Sequence, residues 1–156
     1  MPDLRFGVGF DSHDRAVDRP LYLGGVHFED EPGLAGHSDA DVLCHALADA
    51  LLGAAGQGDI GQHFPDTDPK FEGISGSELL ADTVDLVREA GFRPYSCDVV
   101  VIAEGPAIAT RRDEIRASLA KTLGIDEDRV SVKGKRPEGL NLAGGAAACL
   151  ALAVLE

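Results

Sequence analysis

A chain of 156 residues has the length of one domain, and its 44% hydrophobic content supplies a core of aliphatic character, since Trp is absent. Fourteen basic against 27 acidic residues leave a net charge of -13. That argues against a general binder of nucleic acid or of anionic membranes, which need clustered Lys and Arg. A phosphate-ester substrate would have to be held by metal ions, helix N-termini and a few local bases against an unfavourable field.

The opening MPDLRFGVGFD has no basic region followed by an apolar one, so no signal peptide is expected and the cytoplasm is the expected location. Arg5 to Phe10 form an apolar run ending at Asp11, a first strand. Leu21 to Leu23 and Val26 to Phe28 flank Gly24-Gly25 and predict a hairpin. Gly33, Gly36 and His37 mark a loop. Ser38-Asp39-Ala40-Asp41 then has a capping-box pattern and opens a helix through about Ala55, with Val42, Ala46, Leu47, Ala50 and Leu51 as its apolar stripe. Gly56 and Gly58 end it. The polar segment through Asp59-Ile60-Gly61 and Phe64-Pro65-Asp66-Thr67-Asp68 is a long loop, and loops of such length inside compact domains are usually functional or mobile.

A second helix is predicted from about Ser77 to Ala90, with Leu79, Leu80, Val84 and Val87 inward and Gly91 as its stop. Asp98 to Ala103 (DVVVIA) predicts a strand buried on both faces. Ala109 to Leu123 predicts a helix with Arg111, Arg112 and Arg116 outward and Gly124 at its end, and Val130 to Lys133 a further strand. Ala146 to Leu155 reads as helix by its Ala and Leu content or as strand by its position. It is too short to span a bilayer. Cys44, Cys97 and Cys149 are odd in number, widely spaced and lack a CxxC pair, so small buried thiols in a reducing compartment fit best. The whole order is that of an α+β domain covering residues 1–156.

Asp11 and His13, two apart at a strand end, send their side chains to the same side. His45 lies about one and a half turns into the first helix. The three could converge into a site of two imidazoles and one carboxylate, a set that suits zinc and leaves a fourth position open; surface or capping roles are the alternative. His37 and Ser38 stand at a helix N-terminus, where an anion is favoured or Ser38 is a plain cap. Glu138, near Lys133, Lys135 and Arg136, could hold a second divalent cation while the bases neutralise phosphates, or could lie in a solvated basic loop. Asp59, Asp66 and Asp68 suit substrate hydroxyls or turns. His27 and His63 receive no role.

Together GVGFDSH, LAGHSDADVLCHALADALLGAAGQGDIGQHFPDTDP, DVVVIAEGP and VSVKGKRPEGL resemble, in order, the 2-C-methyl-D-erythritol 2,4-cyclodiphosphate synthase family. The resemblance implies an α+β fold with a mixed sheet and helices on one face, assembled as a homotrimer with active sites at the subunit interfaces. It implies a final strand, which breaks the tie at Ala146 to Leu155. It further implies the non-mevalonate isoprenoid pathway, with a cytidine diphosphate substrate, 4-diphosphocytidyl-2-C-methyl-D-erythritol 2-phosphate, closing to the cyclic diphosphate and releasing CMP. Asp11, His13 and His45 match Zn2+ ligands, and Glu138 the ligand of Mg2+ or Mn2+ on the diphosphate. His37 matches a residue stabilising the transition state, beside Ser38 on a substrate phosphate. Asp59, Ile60 and Gly61 match the methylerythritol contacts; Phe64, Pro65, Asp66, Thr67 and Asp68 match a loop closing over substrate. Ala103, Pro106, Ala107 and Ala109 lie in the matching cytosine-binding stretch.

The chain departs from the family's pattern in three places. Ala107 stands where a Lys commonly reaches the nucleotide phosphates. Lys135 and Arg136 replace a pair of Thr, one of which supports the transition state, so Arg136 takes a candidate catalytic position. LNLAGGAAAC replaces a GRGEG-containing segment. These departures leave room for a non-catalytic, zinc-binding trimeric relative that binds a nucleotide or isoprenoid, and the same site chemistry admits a metal-dependent phosphoesterase.

Overall fold

The computed structural model describes residues 3–139 and 147–156. In chain order these form β1 (Arg5–His13), β2 (Arg15–Ala16), β3 (Leu21–Leu23), β4 (Val26–Phe28), β5 (Gly33–Leu34), α1 (Val42–Ala54), α2 (Ile60–His63), α3 (Gly76–Glu89), β6 (Pro94–Ile102), α4 (Arg112–Leu123), β7 (Val130–Lys135) and β8 (Ala147–Leu155). A mixed four-stranded sheet has the order β1-β8-β6-β7. β8 is antiparallel to both β1 and β6, whereas β6 and β7 are parallel and joined through α4. β2 with β5 and β3 with β4 make two small ladders.

The final segment is a strand, and its composition suits its place. Cys149, Ala151, Ala153 and Leu155 face inward and are buried, and the small ones allow α1 to lie close. β1 goes further. A Cβ on Gly7 or Gly9 would overlap the carbonyl oxygens of Ala50 or Ala46 in α1. Strand and helix therefore touch backbone to backbone, and the strand face that carries Gly7 and Gly9 continues to Asp11 and His13.

Helix α1 begins at Val42 and is capped by Asp41, not by Ser38. Asp41 is fully buried; its carboxylate accepts from Cys44 N at 3.0 Å, Gly24 N at 2.9 Å and Gly25 N at 2.7 Å. One side chain thus caps the helix and satisfies the β3–β4 turn, where Gly24 and Gly25 both have positive φ. Asp39 accepts from Gly76 N at 2.9 Å and ties in the start of α3. The capping box sits instead at the start of α3, between its cap Ser75 and Glu78 in its first turn.

Two further expectations need correction. The segment 59–68 is not wholly loop: α2 starts at Ile60 on an Asp59 cap. β6 starts at Pro94 and alternates buried with half-buried residues instead of being buried on both faces. The cause is that, among the described residues, helices cover only one face of the sheet. On the other face Phe6, Val8, Phe10, Leu150 and Leu152 stand exposed, Val8 at 67%. Cys44, Cys97 and Cys149 are free and buried, and burial pushes the Cys97 thiol up to about 12. Among the described residues no helix is long and apolar enough to cross a membrane.

Candidate active site

The flush packing of β1 on α1 brings His45 to the end of the strand. His13 Nε2 lies 2.7 Å and His45 Nδ1 3.2 Å from the same oxygen, Asp11 Oδ2, and the two nitrogens are 3.3 Å apart. Two imidazole lone pairs aimed at each other and at a carboxylate repel unless a proton or cation sits among them. The three ligand atoms lie close enough together to bind one divalent ion, and three protein ligands would leave a further position for substrate or water. The three residues could therefore hold a metal ion. On Asp11, burial would raise the carboxyl, but hydrogen bonds and charge from His13 and His45 outweigh it and hold the group below its ordinary value. Burial would lower His45; the contact with Asp11 and the charges of Asp11, Asp41 and Asp39 raise it instead.

The outer nitrogen of His45, Nε2, lies 3.2 Å from Ser38 Oγ, which also accepts from Ala40 N. Ser38 thus fixes the ring orientation of a candidate ligand, a role the capping reading hid. A cavity of about 350 Å³ adjoins the triangle, lined by Asp11, His13, His37, Ser38, His45, Ile60, Gly61, Phe64, Pro65 and Asp66, with Phe71, Ile74 and Leu79 as an apolar wall. His37 is exposed at its rim, with Nε2 3.5 Å from Asp66 Oδ2. Asp59, Thr67 and Asp68 do not line it: Asp59 caps α2, and Asp68 caps the 3-10 turn Pro69–Phe71.

Asp49, one turn beyond His45 on α1, has Oδ1 accepting from Ile60 N at 2.8 Å. It joins the helix bearing His45 to the segment bearing Ile60 and Gly61, and burial raises its carboxyl. No sequence signal marks this residue, because its partner is a backbone amide 11 positions away.

The remaining candidates gather elsewhere. Ala103, Pro106, Ala107, Ala109, Lys135 and Arg136 line a second cavity of about 190 Å³, together with Arg112, which sequence reasoning had placed only as an outward residue. Glu138 is exposed, has φ 50° and lines neither cavity. Lys133 does not join that group; its Nζ pairs with Asp98 at 2.6 Å on the outer face of the sheet. Ser12 and Ile102 both pair with Ala148, so the strands that lead into the two groups of residues finish at the same end of the sheet, with β8 between them. The replaced segment at 140–149 falls mostly outside the described residues.

Comparison with known proteins adds a family. The profile described as "YgbB family" matches residues 4–156. A protein of Alkaliphilus oremlandii (strain OhILAs) named 2-C-methyl-D-erythritol 2,4-cyclodiphosphate synthase is 45% identical over 141 residues, covering 90% of each chain. The solved structure of the bifunctional IspDF of Campylobacter jejuni superposes with a TM-score of 0.92 at 42% identity, covering 98% of this chain but 42% of that one. A structure of 2C-methyl-D-erythritol-2,4-cyclodiphosphate synthase in a form bound to CDP superposes with a TM-score of 0.91 at 36% identity, covering 97% of this chain and 100% of that one.

Proposed function

Since this chain belongs to the YgbB family of 2-C-methyl-D-erythritol 2,4-cyclodiphosphate synthases, we propose that it converts 4-diphosphocytidyl-2-C-methyl-D-erythritol 2-phosphate to the cyclic diphosphate and CMP. An oxygen of the 2-phosphate forms a bond to the β-phosphorus, and the bond from that phosphorus to the oxygen bridging to the α-phosphorus breaks. CMP leaves with the bridging oxygen. The observation that carries this reading is the Asp11–His13–His45 triangle opening into a cavity rimmed by His37.

Both reacting phosphates belong to one molecule, so the protein's task is to fold that molecule back on itself. Positioning of this kind can contribute on the order of 7–11 kcal/mol. Asp11, His13 and His45 would hold Zn2+ and Glu138 would take Mg2+ or Mn2+; when bound, these ions supply neutralisation of the phosphates and stabilisation of charge on the departing CMP. His37, at the cavity rim, donates a ring N–H to the transferring phosphate. Ser38 orients His45 and lies beside that phosphate. Ile60 and Gly61, which line the cavity, take the methylerythritol part, with Asp59 holding them in place as the cap of α2, and the segment from Phe64 to Asp68 closes over it. The loop from Ala103 to Ala109 reads cytosine through its backbone, while Lys135 and Arg136, with Arg112 alongside, meet the nucleotide phosphates in place of a Lys at 107.

The assembly we propose is a cytoplasmic homotrimer. An exposed row of Phe6, Val8, Phe10, Leu150 and Leu152 is a surface a monomer would pay heavily to hydrate. Covering it with two further copies would set each metal half-site against a neighbour's nucleotide half-site.

The test is direct. Purified protein of known metal content, mixed with the diphosphocytidyl substrate and followed by phosphorus NMR, should give a cyclic diphosphate and CMP in equal amounts. Release of inorganic phosphate would instead identify a phosphoesterase. Tight nucleotide binding without turnover would identify a non-catalytic relative, the reading that Ala107 favours.

A further inference from the structure

His37 is the least anchored of the residues around the metal triangle. Its ring is largely exposed, and among the described residues its one polar contact is with Asp66 at 3.5 Å. Nothing in its own side chain holds it over the cavity, so its position depends on the backbone that carries it. That backbone is gripped from outside. Arg19, between β2 and β3, donates from Nη1 to the carbonyl of Gly36 and from Nη2 to the carbonyl of Ser38. The two acceptors flank His37. One planar guanidinium thus holds the Gly36–His37 peptide and the Ser38–Asp39 peptide and so brackets the imidazole-bearing residue, a task that a single ammonium cannot copy.

The grip is itself anchored. Arg19 donates its N–H to the Ala16 carbonyl at 3.2 Å and accepts from Gly33 N at 2.9 Å, so its backbone is tied to the β2–β5 ladder. That ladder follows directly from the strand bearing Asp11 and His13. The 35–38 loop is also tied to this strand end: Ala35 N donates to the Asp14 carbonyl at 2.8 Å. A Cβ on Gly36 would meet the His13 ring at 3.4 Å, so the loop backbone rides on a candidate metal ligand.

We propose that Arg19 is a positioning residue that sets His37 at a fixed distance from the metal triangle. The inference rests on the role given to His37 above. It does not require Arg19 to touch substrate. Removing the fork frees both peptide planes, and His37 then samples positions from which its N–H misses the phosphate.

Arg19→Ala and Arg19→Lys test this by two routes. In turnover, Arg19→Ala should lower kcat by about 100-fold, the order of loss that a misplacement near 1 Å can cause, with KM changed by no more than about threefold. Added guanidinium ion should restore part of that rate, and Arg19→Lys, which keeps the charge but not the fork, should recover only a minor share. In structure, protein loaded with Co2+ and labelled with 15N-histidine should show a defined paramagnetic shift for His37 that collapses in Arg19→Ala, while the ligand signals of His13 and His45 persist. An Arg19→Ala enzyme within twofold of wild type, a fully active Arg19→Lys, or an unchanged His37 shift would overturn the proposal. Should Arg19→Ala fail to fold, Arg19→Lys carries both measurements. Should the wild type turn over no substrate, the reading of function fails, and the cobalt shift still decides whether Arg19 positions His37.

Discussion

The two half-sites at one end of the sheet are built in different ways. The metal half stands on β1 and α1, pressed together through Gly7 and Gly9, so Asp11, His13 and His45 are located by backbone contact between a strand and an almost wholly buried helix. The nucleotide half stands on the loop after β6 and the end of β7, where Ala107 and Lys135 are exposed and Glu138 lies in an exposed turn. The departures from the pattern that the resemblance implies fall in the second half, at Ala107, Lys135 and Arg136, and none falls on Asp11, His13 or His45. Side chains fixed by close packing leave no freedom to exchange roles, whereas charges around a solvent-facing cavity can move from one position to another and still meet a phosphate.

If that contrast is correct, the largest effect comes from the metal half. Asp11→Asn, or removal of metal with a chelator, should abolish product formation, at least about 1,000-fold, because orientation and charge neutralisation fail together. The same treatments should leave nucleotide binding measurable by calorimetry. Complete loss of nucleotide binding in Asp11→Asn would mean that the halves are not separable. Gly9→Ala comes next. The added methyl has no space against the Ala46 carbonyl, so α1 must move away from β1, with a cost of about 1–3 kcal/mol in stability and a loss of metal affinity. Thermal unfolding and metal titration report the two effects, and a variant that keeps wild-type metal affinity would show that close packing does not locate the ligands.

This contrast also explains what could be read in advance. Asp11 and His13 were legible because a strand has period two, and His45 because its helix was unmistakable. Their convergence was left open by spacing and was implied by the family resemblance; its physical cause lies in Gly7 and Gly9, whose meaning appears only with a helix lying against them. The cap was misplaced to Ser38 because Ser and Asp recur through 38–41. Asp41 prevails because its carboxylate also serves Gly24 and Gly25, a tertiary demand absent from local pattern. The β8 assignment could not come from propensity, since Ala and Leu favour helix. Its small residues are there to admit α1, and the family resemblance alone supplied the strand. DVVVIA looked buried on both faces because an apolar run does not say whether its second cover comes from the same chain.

That uncovered face gives the next prediction. Leu152→Glu places a charge in the centre of the exposed apolar row. Sedimentation should show smaller species than the trimer proposed for the wild type, and turnover should fall by about tenfold or more if each site needs a neighbour's nucleotide half, while metal affinity should persist because Leu152 points away from α1. An active monomer would place the whole site within one chain.

The smallest and most specific effect belongs to Arg136. In a chain with net charge -13, cations lining the nucleotide cavity are scarce: Arg112, Lys135 and Arg136. If Arg136 replaces the charge absent at Ala107, Arg136→Thr should raise KM and lower kcat by about tenfold in kcat/KM, one lost charge-assisted contact at a wet site. The loss should grow as salt is lowered in the comparison with wild type, since screening hides charge differences at high ionic strength. Ala107→Lys in the Arg136→Thr background should then restore part of the activity while doing little in the wild type. Such non-additivity would show that the two positions serve one phosphate. Independent effects, or an unaffected rate in Arg136→Thr, would mean that the nucleotide half did not exchange one cation for another and that its departures are simple losses.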